Sequence, residues 1–483
     1  MKKVVLATIL ATLTASGASA TTSGAPEKTK VQHVDWAKNA VIYEINLRQG
    51  TPERNLKGMT KDLPRLKDLG VDILWLMPIH PISELNRKGE LGSYYAVADY
   101  KKVNPEFGTF EDLKEFVDTA HGLGMKVILD EVCNHSGCDN IWVTEHPDFY
   151  VRNEAGEMYG PFDWTDTYKL DYSNPAMREA MIDALKFWVQ EADIDGYRAD
   201  VAMQVPTDFW DEARAELNKV KPVFMLAEAS EPELTVAAFD ADYNWPMKDL
   251  FNAISNTKGE NAYAREHDMN LPSKTALDID SLLKEQANAY PLDTYRMNMV
   301  TNHDLNSWEG TEFDRYGKSL GAFAVLSYTL PGMPMMYTGQ EVGNRRAFEF
   351  FQLDSVPDYT ANEYTAFYKM LNSLKHSQRA LDAGEEGGKM FRLTTTSPDV
   401  YAFSRSLPDN SSEVVVIANL SDKESPLEFT GDIFQPANYD GEEDGFSLNN
   451  VPDFTQFTDW FEGTDAAIPT TLAPWQYLVL VRK

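Results

Sequence analysis

From about residue 40 to residue 380 the chain repeats one pattern: a short apolar run, a polar residue at its end, then an amphipathic stretch of helical length. Val41–Leu47 reads as the first strand. Leu63–Leu69 reads as a helix stopped by Gly70, and Ile73–Met77 as a strand closed by Pro78. The series continues with a helix over Phe110–Leu123, a strand Val127–Leu129 running into Asp130, a helix over Ala176–Ala192 opened by Asn174-Pro175, and a strand Gly196–Asp200. After these come a helix Thr207–Leu217, a strand Val223–Ala227, a strand Met297–Thr301, a helix Lys318–Leu330, a strand Pro334–Tyr337 and a helix Glu363–Arg379. Parallel strands need crossover connections, so this alternation predicts an α/β fold with a parallel sheet closed as a (β/α)8 TIM barrel. The competing open, doubly wound sheet normally carries a glycine-rich phosphate loop after its first strand, and Leu47-Arg48-Gln49-Gly50 is not one.

At 483 residues the chain exceeds one compact domain, and the pattern breaks in two places. Residues 133–174 are aromatic, polar and glycine-rich, with Trp142, Tyr150, Tyr159, Phe162 and Trp164. So long a stretch is not an idle loop, and it predicts a small domain inserted after the third strand. Beyond residue 384 the runs Val400–Ser404, Glu413–Ala418 and Tyr477–Val481 alternate β-branched and aromatic residues, which predicts a C-terminal antiparallel β-sandwich over 384–483. The barrel then occupies 33–132 and 175–383. The acidic run Asp440–Gly445 reads as a solvated loop. Cys133 and Cys138 are the only cysteines, and they read equally well as a disulfide or as two separate thiols.

Residues 1–20 have the shape of an export signal: Lys2 and Lys3, an apolar run Val4–Leu13, and Ala18-Ser19-Ala20 as a cleavage site. The expected destination is the periplasm or the medium. The net charge is −31, or −33 without Lys2 and Lys3. Such a surface repels nucleic acid and anionic membranes and suits a neutral substrate.

Three acids stand at the ends of predicted strands: Asp200 after Gly196-Tyr197-Arg198-Ala199, Glu228 after Met225-Leu226-Ala227, and Asp304 after Thr301-Asn302-His303. In a barrel these ends share one face. Cleaving a glycosidic bond requires one carboxylic acid to protonate the leaving oxygen and one carboxylate to attack or stabilise the anomeric carbon. Arg198 lies two residues before Asp200 on the same strand face, an arrangement expected to lower the Asp200 pKa and keep it ionised. Glu228 follows an apolar run, where desolvation is expected to raise its pKa and keep it a proton donor.

Asp130-Glu131-Val132-Cys133-Asn134-His135, Gly196–Asp200, Glu228 and Thr301–Asp304 resemble, in order, the four signature segments of the α-amylase family (glycoside hydrolase family 13). Tyr95–Asp99, Leu170–Asn174, Phe107-Gly108-Thr109 and Pro331-Gly332-Met333-Pro334 are also similar to family sequence. The resemblance implies a retaining hydrolase of α-1,4-glucosidic bonds in starch or maltooligosaccharides, with Asp200 the nucleophile, Glu228 the acid/base and Asp304 the transition-state stabiliser. Arg198 would orient Asp200, Tyr95, His135 and His303 would contact the sugar, and Asp130 would support the floor of the site. It also implies a structural Ca2+, with Asn134 and Asp171 as candidate ligands. One departure bears on this: Met203 and Gln204 stand where many endo-acting members carry Lys-His, a pair that grips the leaving-side sugar and helps to hold calcium. Relatives that take short or cyclic glucans vary there. A transglycosylase or an exo-acting α-glucosidase would use the same acids, and a catalytically inactive glucan-binding subunit is the alternative outside enzymes.

Overall fold

The computed structural model describes residues 31–436, 448 and 450–483. The expected export signal (1–20) and the acidic run 440–445 lie outside the described residues. Eight parallel strands close into a barrel: β1 (Ile42–Ile45), β2 (Ile73–Leu76), β3 (Lys126–Glu131), β6 (Gly196–Ala199), β7 (Phe224–Ala227), β8 (Ala241–Tyr243), β9 (Tyr295–Asn298) and β10 (Met333–Tyr337), in that order around the ring, with β10 paired back to β1. The sequence reading locates seven of these strands. It misses β8, whose three residues include an acid and present no apolar run.

Side chains alternate across each strand, so every second residue points into the barrel. Ile42, Ile73, Ile128, Phe224, Leu226, Ala241, Tyr243 and Met297 pack together as an interior cluster. A larger cluster, including Leu74, Leu76, Val127, Leu129, Tyr197, Met225 and Ala227, packs the outer face of the strands under the helices. Continuing the inward file of three strands by one position leads from Ile128 to Asp130, from Gly196 to Arg198 and Asp200, and from Leu226 to Glu228. The interior therefore passes from apolar to charged toward the carboxyl ends. Gly196 is required by close approach: a Cβ there would lie 1.8 Å from the Phe224 carbonyl oxygen of the neighbouring strand.

Three boundaries differ from the sequence reading for local reasons. β1 stops at Ile45 because Asn46 caps a short helical turn, Leu47–Gly50. The next helix starts at Leu56, where Asn55 accepts from the Gly58 N–H, and runs through Pro64 to a left-handed Gly70. β9 ends at Asn298, and Asp304 sits in the first turn of a helix, His303–Trp308, capped by Asn302, rather than at a strand end.

Residues 133–174 form an excursion on the carboxyl side of β3. β4 (His135–Gly137) pairs antiparallel with β5 (Thr167–Lys169), and Trp142 and Phe149 pack beneath. Cys133 and Cys138 are both buried free thiols. The C-terminal region is a six-stranded antiparallel sheet in the order β15-β11-β12-β13-β18-β16: β11 (Lys389–Thr395), β12 (Val400–Ser406), β13 (Glu413–Asn419), β15 (Phe429–Phe434), β16 (Phe457–Asp459) and β18 (Tyr477–Arg482). The second layer of the expected sandwich is only a two-stranded ribbon, β14 (Ser425–Pro426) with β17 (Thr471–Leu472). Tyr401 Oη bonds Asp280 at 2.8 Å and the Trp460 indole bonds the Met370 carbonyl at 3.0 Å, docking this sheet on barrel helices. Among the described residues no helix is long and apolar enough to cross a membrane.

Candidate active site

At the carboxyl end of the barrel one buried guanidinium collects the acids. Arg198 Nη1 donates to Asp130 Oδ1 at 2.8 Å and to Asp200 Oδ1 at 3.0 Å, and Nη2 lies 3.0 Å from Glu228 Oε2. Its Nε donates to Tyr243 Oη at 3.1 Å. Three strand ends, β3, β6 and β7, are thus tied to a single cation, and the rings of Trp75, Tyr95 and Tyr243 surround it.

A second chain of bonds leads to Asp304. Asp130 Oδ2 accepts from the Trp75 indole at 3.2 Å and from Tyr95 Oη at 3.0 Å. Tyr95 Oη also meets His303 Nε2 at 2.8 Å, and His303 Nε2 lies 3.4 Å from Asp304 Oδ2. Tyr95 has one proton, and Asp130 takes it, so His303 must donate at Nε2. Its Nδ1 faces Glu44 Oε1, an acceptor. Both ring nitrogens therefore carry protons. The same conclusion follows electrostatically: burial opposes the imidazolium, but Asp304 and Glu44 outweigh it and raise the His303 pKa to about 9.

The acids themselves are pushed the other way. Burial, only partly offset by Arg198, raises Asp200 to about 6 and Asp130 to about 6. Glu228 rises to about 7, again through burial offset by Arg198, with Asp200 and Asp304 adding repulsion. The expectation that Arg198 lowers the Asp200 pKa is therefore overturned: the guanidinium acts in that direction, but it is shared among three carboxyls and desolvation prevails. The expected rise at Glu228 matches. Five carboxyls (Glu44, Asp130, Asp200, Glu228, Asp304) face two cations, so the group retains a proton near neutrality, most readily on Glu228.

Val201, directly after Asp200, is held at φ +37°, a strained left-handed setting for a β-branched residue. Its N–H donates to Glu228 Oε2 at 2.7 Å, locking the two acids together. The following turn, Ala202–Gln204, leaves Met203 43% exposed. His135 is buried at the start of the excursion, its Nδ1 3.3 Å from Asn134 Nδ2, and burial lowers its pKa to about 3, so it stays neutral.

The calcium expectation fits poorly. Asn134 Oδ1 is buried without a hydrogen-bond partner, which is one available oxygen. Asp171 Oδ1, however, accepts from the Ser173 N–H at 2.9 Å and its hydroxyl at 2.6 Å in a local turn. Among the described residues no group of three or more His, Cys, Asp or Glu is placed to hold a metal. Asn134 and Asp171 between them supply few of the roughly six to eight oxygens that calcium takes.

The sequence reading does not single out Glu44, Trp75 or Tyr243. Glu44 carried a signal, an acid inside the apolar run Val41–Ile45; Tyr243 lies on the unrecognised strand β8.

The family described as "Alpha amylase, catalytic domain" matches residues 38–169 and 147–380. The chain belongs to that family. It is 26% identical over 471 residues to "Alpha-amylase 3" of Dictyoglomus thermophilum, covering 82% of this chain and 88% of that one. It is 27% identical over 456 residues to a maltogenic alpha-amylase of Bacillus acidopullulyticus, covering 82% and 72%. Among solved structures, a noncanonic maltogenic alpha-amylase, AmyB, of Thermotoga neapolitana superposes with a TM-score of 0.76 at 27% identity, covering 92% of this chain and 99% of that one. As a member of this family the chain is an enzyme, a glycoside hydrolase of the α-amylase type.

Proposed function

We propose that the enzyme hydrolyses α-1,4-glucosidic bonds of starch or maltooligosaccharides with retention of anomeric configuration. The observation that carries this reading is the sharing of Arg198 by Asp200 and Glu228, which holds a carboxylate and a carboxylic acid side by side at the barrel mouth.

Glu228, whose pKa burial raises to about 7, gives its proton to the glycosidic oxygen. Asp200 attacks the anomeric carbon as that bond breaks, forming a glycosyl ester and releasing the leaving sugar as an alcohol. Glu228, now a carboxylate, takes a proton from water, whose oxygen displaces Asp200 and restores both groups. Asp304 and the Asp130 carboxylate stabilise the positive charge that develops on the ring, while protonated His303 and Tyr95 fix the sugar's hydroxyls. Arg198 is a positioning residue, aligning Asp200 against Glu228.

Two measurements test this. Proton NMR of freshly cleaved maltoheptaose should show the α-anomer first; initial β-anomer would refute retention. Asp200→Asn and Glu228→Gln should each lower kcat on soluble starch by about 10^3-fold or more, given the usual scale for losing a covalent or acid catalyst, with the fold intact by circular dichroism. Full activity in either variant removes the assignment.

A further inference from the structure

His135 hydrogen-bonds the backbone of Tyr95, which ties it to the site, but two rings tilted against one another beyond it have no role in the chemistry above. Trp164 packs against His135 with ring centroids 5.1 Å apart, and Phe162 lies 4.9 Å from Trp164. Phe162 is 56% exposed, more than any other large hydrophobic side chain among the described residues. Its backbone is also held at φ +54°, a left-handed conformation that costs a bulky residue roughly 1–3 kcal/mol. An apolar ring held in water on a strained backbone contributes little to the folded state by itself.

The turn that carries it is nonetheless firmly built. The Trp164 N–H donates to the Pro161 carbonyl at 3.2 Å, and the Trp164 carbonyl accepts from Thr167 N at 3.1 Å and Thr167 Oγ1 at 2.8 Å. Gly160 sits so close beneath that a Cβ would lie 2.3 Å from the Trp164 carbonyl oxygen. The exposed rings are therefore presented by a fixed scaffold and run without a break from His135 to solvent.

We propose that Phe162 and Trp164 form a stacking platform for a glucosyl unit lying outside the catalytic pocket, so that this enzyme prefers longer α-glucans to short ones. The inference rests on the α-glucan reading and deepens it. A pyranose ring presents a face of C–H groups that packs on an aromatic plane while its hydroxyls stay in water, which suits a rigid, half-wet aromatic pair. A neutral sugar also meets no repulsion from a chain of net charge −31. Continuity with His135 identifies the occupant as a further part of the chain being cut.

Phe162→Gly removes the ring and relieves the backbone, so it should fold with an unchanged or higher Tm. Its KM for maltoheptaose should rise about fivefold to tenfold, the usual range for one aromatic contact. Its kcat should hold within about twofold, and the maltoheptaose-to-maltotriose ratio of kcat/KM should fall by the same factor as KM rises. Phe162→Trp should restore the parent values. An unchanged KM, an equal loss on both sugars, or a Phe162→Trp variant as impaired as Phe162→Gly would overturn the platform. Calorimetric binding of maltoheptaose to Glu228→Gln, with and without Phe162→Gly, separates this from failure of the functional reading. A parent enzyme that cuts no α-glucan refutes the hydrolase, whereas equal affinity of the two binding variants refutes the platform.

Discussion

Glu44→Gln is the substitution whose outcome most directly probes the ionic architecture of the site. Glu44 is buried on β1, and its two oxygens have separate duties: Oε1 meets His303 Nδ1, and Oε2 accepts the His303 backbone N–H at 3.2 Å. Glutamine has one acceptor where two donors wait, so one buried N–H loses its partner, at a cost of about 1–3 kcal/mol. The charge term adds to this. His303 stands at about 9 against an ordinary 6.5, a difference worth roughly 3 kcal/mol at 1.36 kcal/mol per unit, with Asp304 and Glu44 as its sources. Loss of Glu44 should remove about half of it. The sign follows from linkage: a histidine pKa raised on folding contributes in full below pH 6.5 and is lost as pH rises through about 9. Urea unfolding should therefore show a gap between parent and variant of about 2.5–4.5 kcal/mol at pH 6, shrinking by roughly 1.5 kcal/mol at pH 10, where only the hydrogen-bond loss remains. In parallel, NMR titration of labelled imidazoles should show the His303 pKa falling by about one unit. If the gap is the same at pH 6 and pH 10, and the His303 titration does not move, Glu44 does not hold an imidazolium and the account of the proton network is wrong.

Two further outcomes follow from the same electrostatics. With Asp200 near 6 and Glu228 near 7, kcat/KM should follow a narrow bell whose limbs belong to the coupled set, and Glu228→Gln assayed on glucosyl fluoride, which needs no acid, should lose the alkaline limb; a flat profile from pH 5 to 9 refutes the pairing. At the opposite end of the barrel, burial opposes the charge on His33, yet Asp240 at 2.9 Å and Asp293 at 3.0 Å raise its pKa to about 9. His33→Ala should therefore destabilise by up to about 3 kcal/mol below pH 6.5, with the loss fading above pH 9; a pH-independent effect would show that His33 contributes packing rather than charge.

What could be read from the sequence, and what could not, divides along the reach of the interactions involved. Seven strands were legible because each is a local run with its own turn signal, whereas β8 has only Ala241-Asp242-Tyr243 and becomes a strand through pairing with β7 and β9. The three acids were legible because short segments around them carry their surroundings along. The contact of Glu44 was not: an acid inside an apolar run is visible, but its partner lies 259 residues away and cannot be read from either segment. The Asp200 pKa shows the same limit in energetic form. Its nearest cation, Arg198, is two residues off and visible in the sequence; the desolvation that outweighs that cation is produced by the closed barrel, and the sharing of the cation with Asp130 and Glu228 depends on three strands at once. Proximity in sequence thus singled out acids that the barrel brings together around Arg198, and gave the wrong sign for the Asp200 shift. The sign matters chemically, because a site in which Arg198 fully ionised every neighbour would have no proton to give a leaving oxygen. Two cations set against five carboxyls leave a proton in place, and the closed barrel, by burying Glu228, makes that residue the proposed donor.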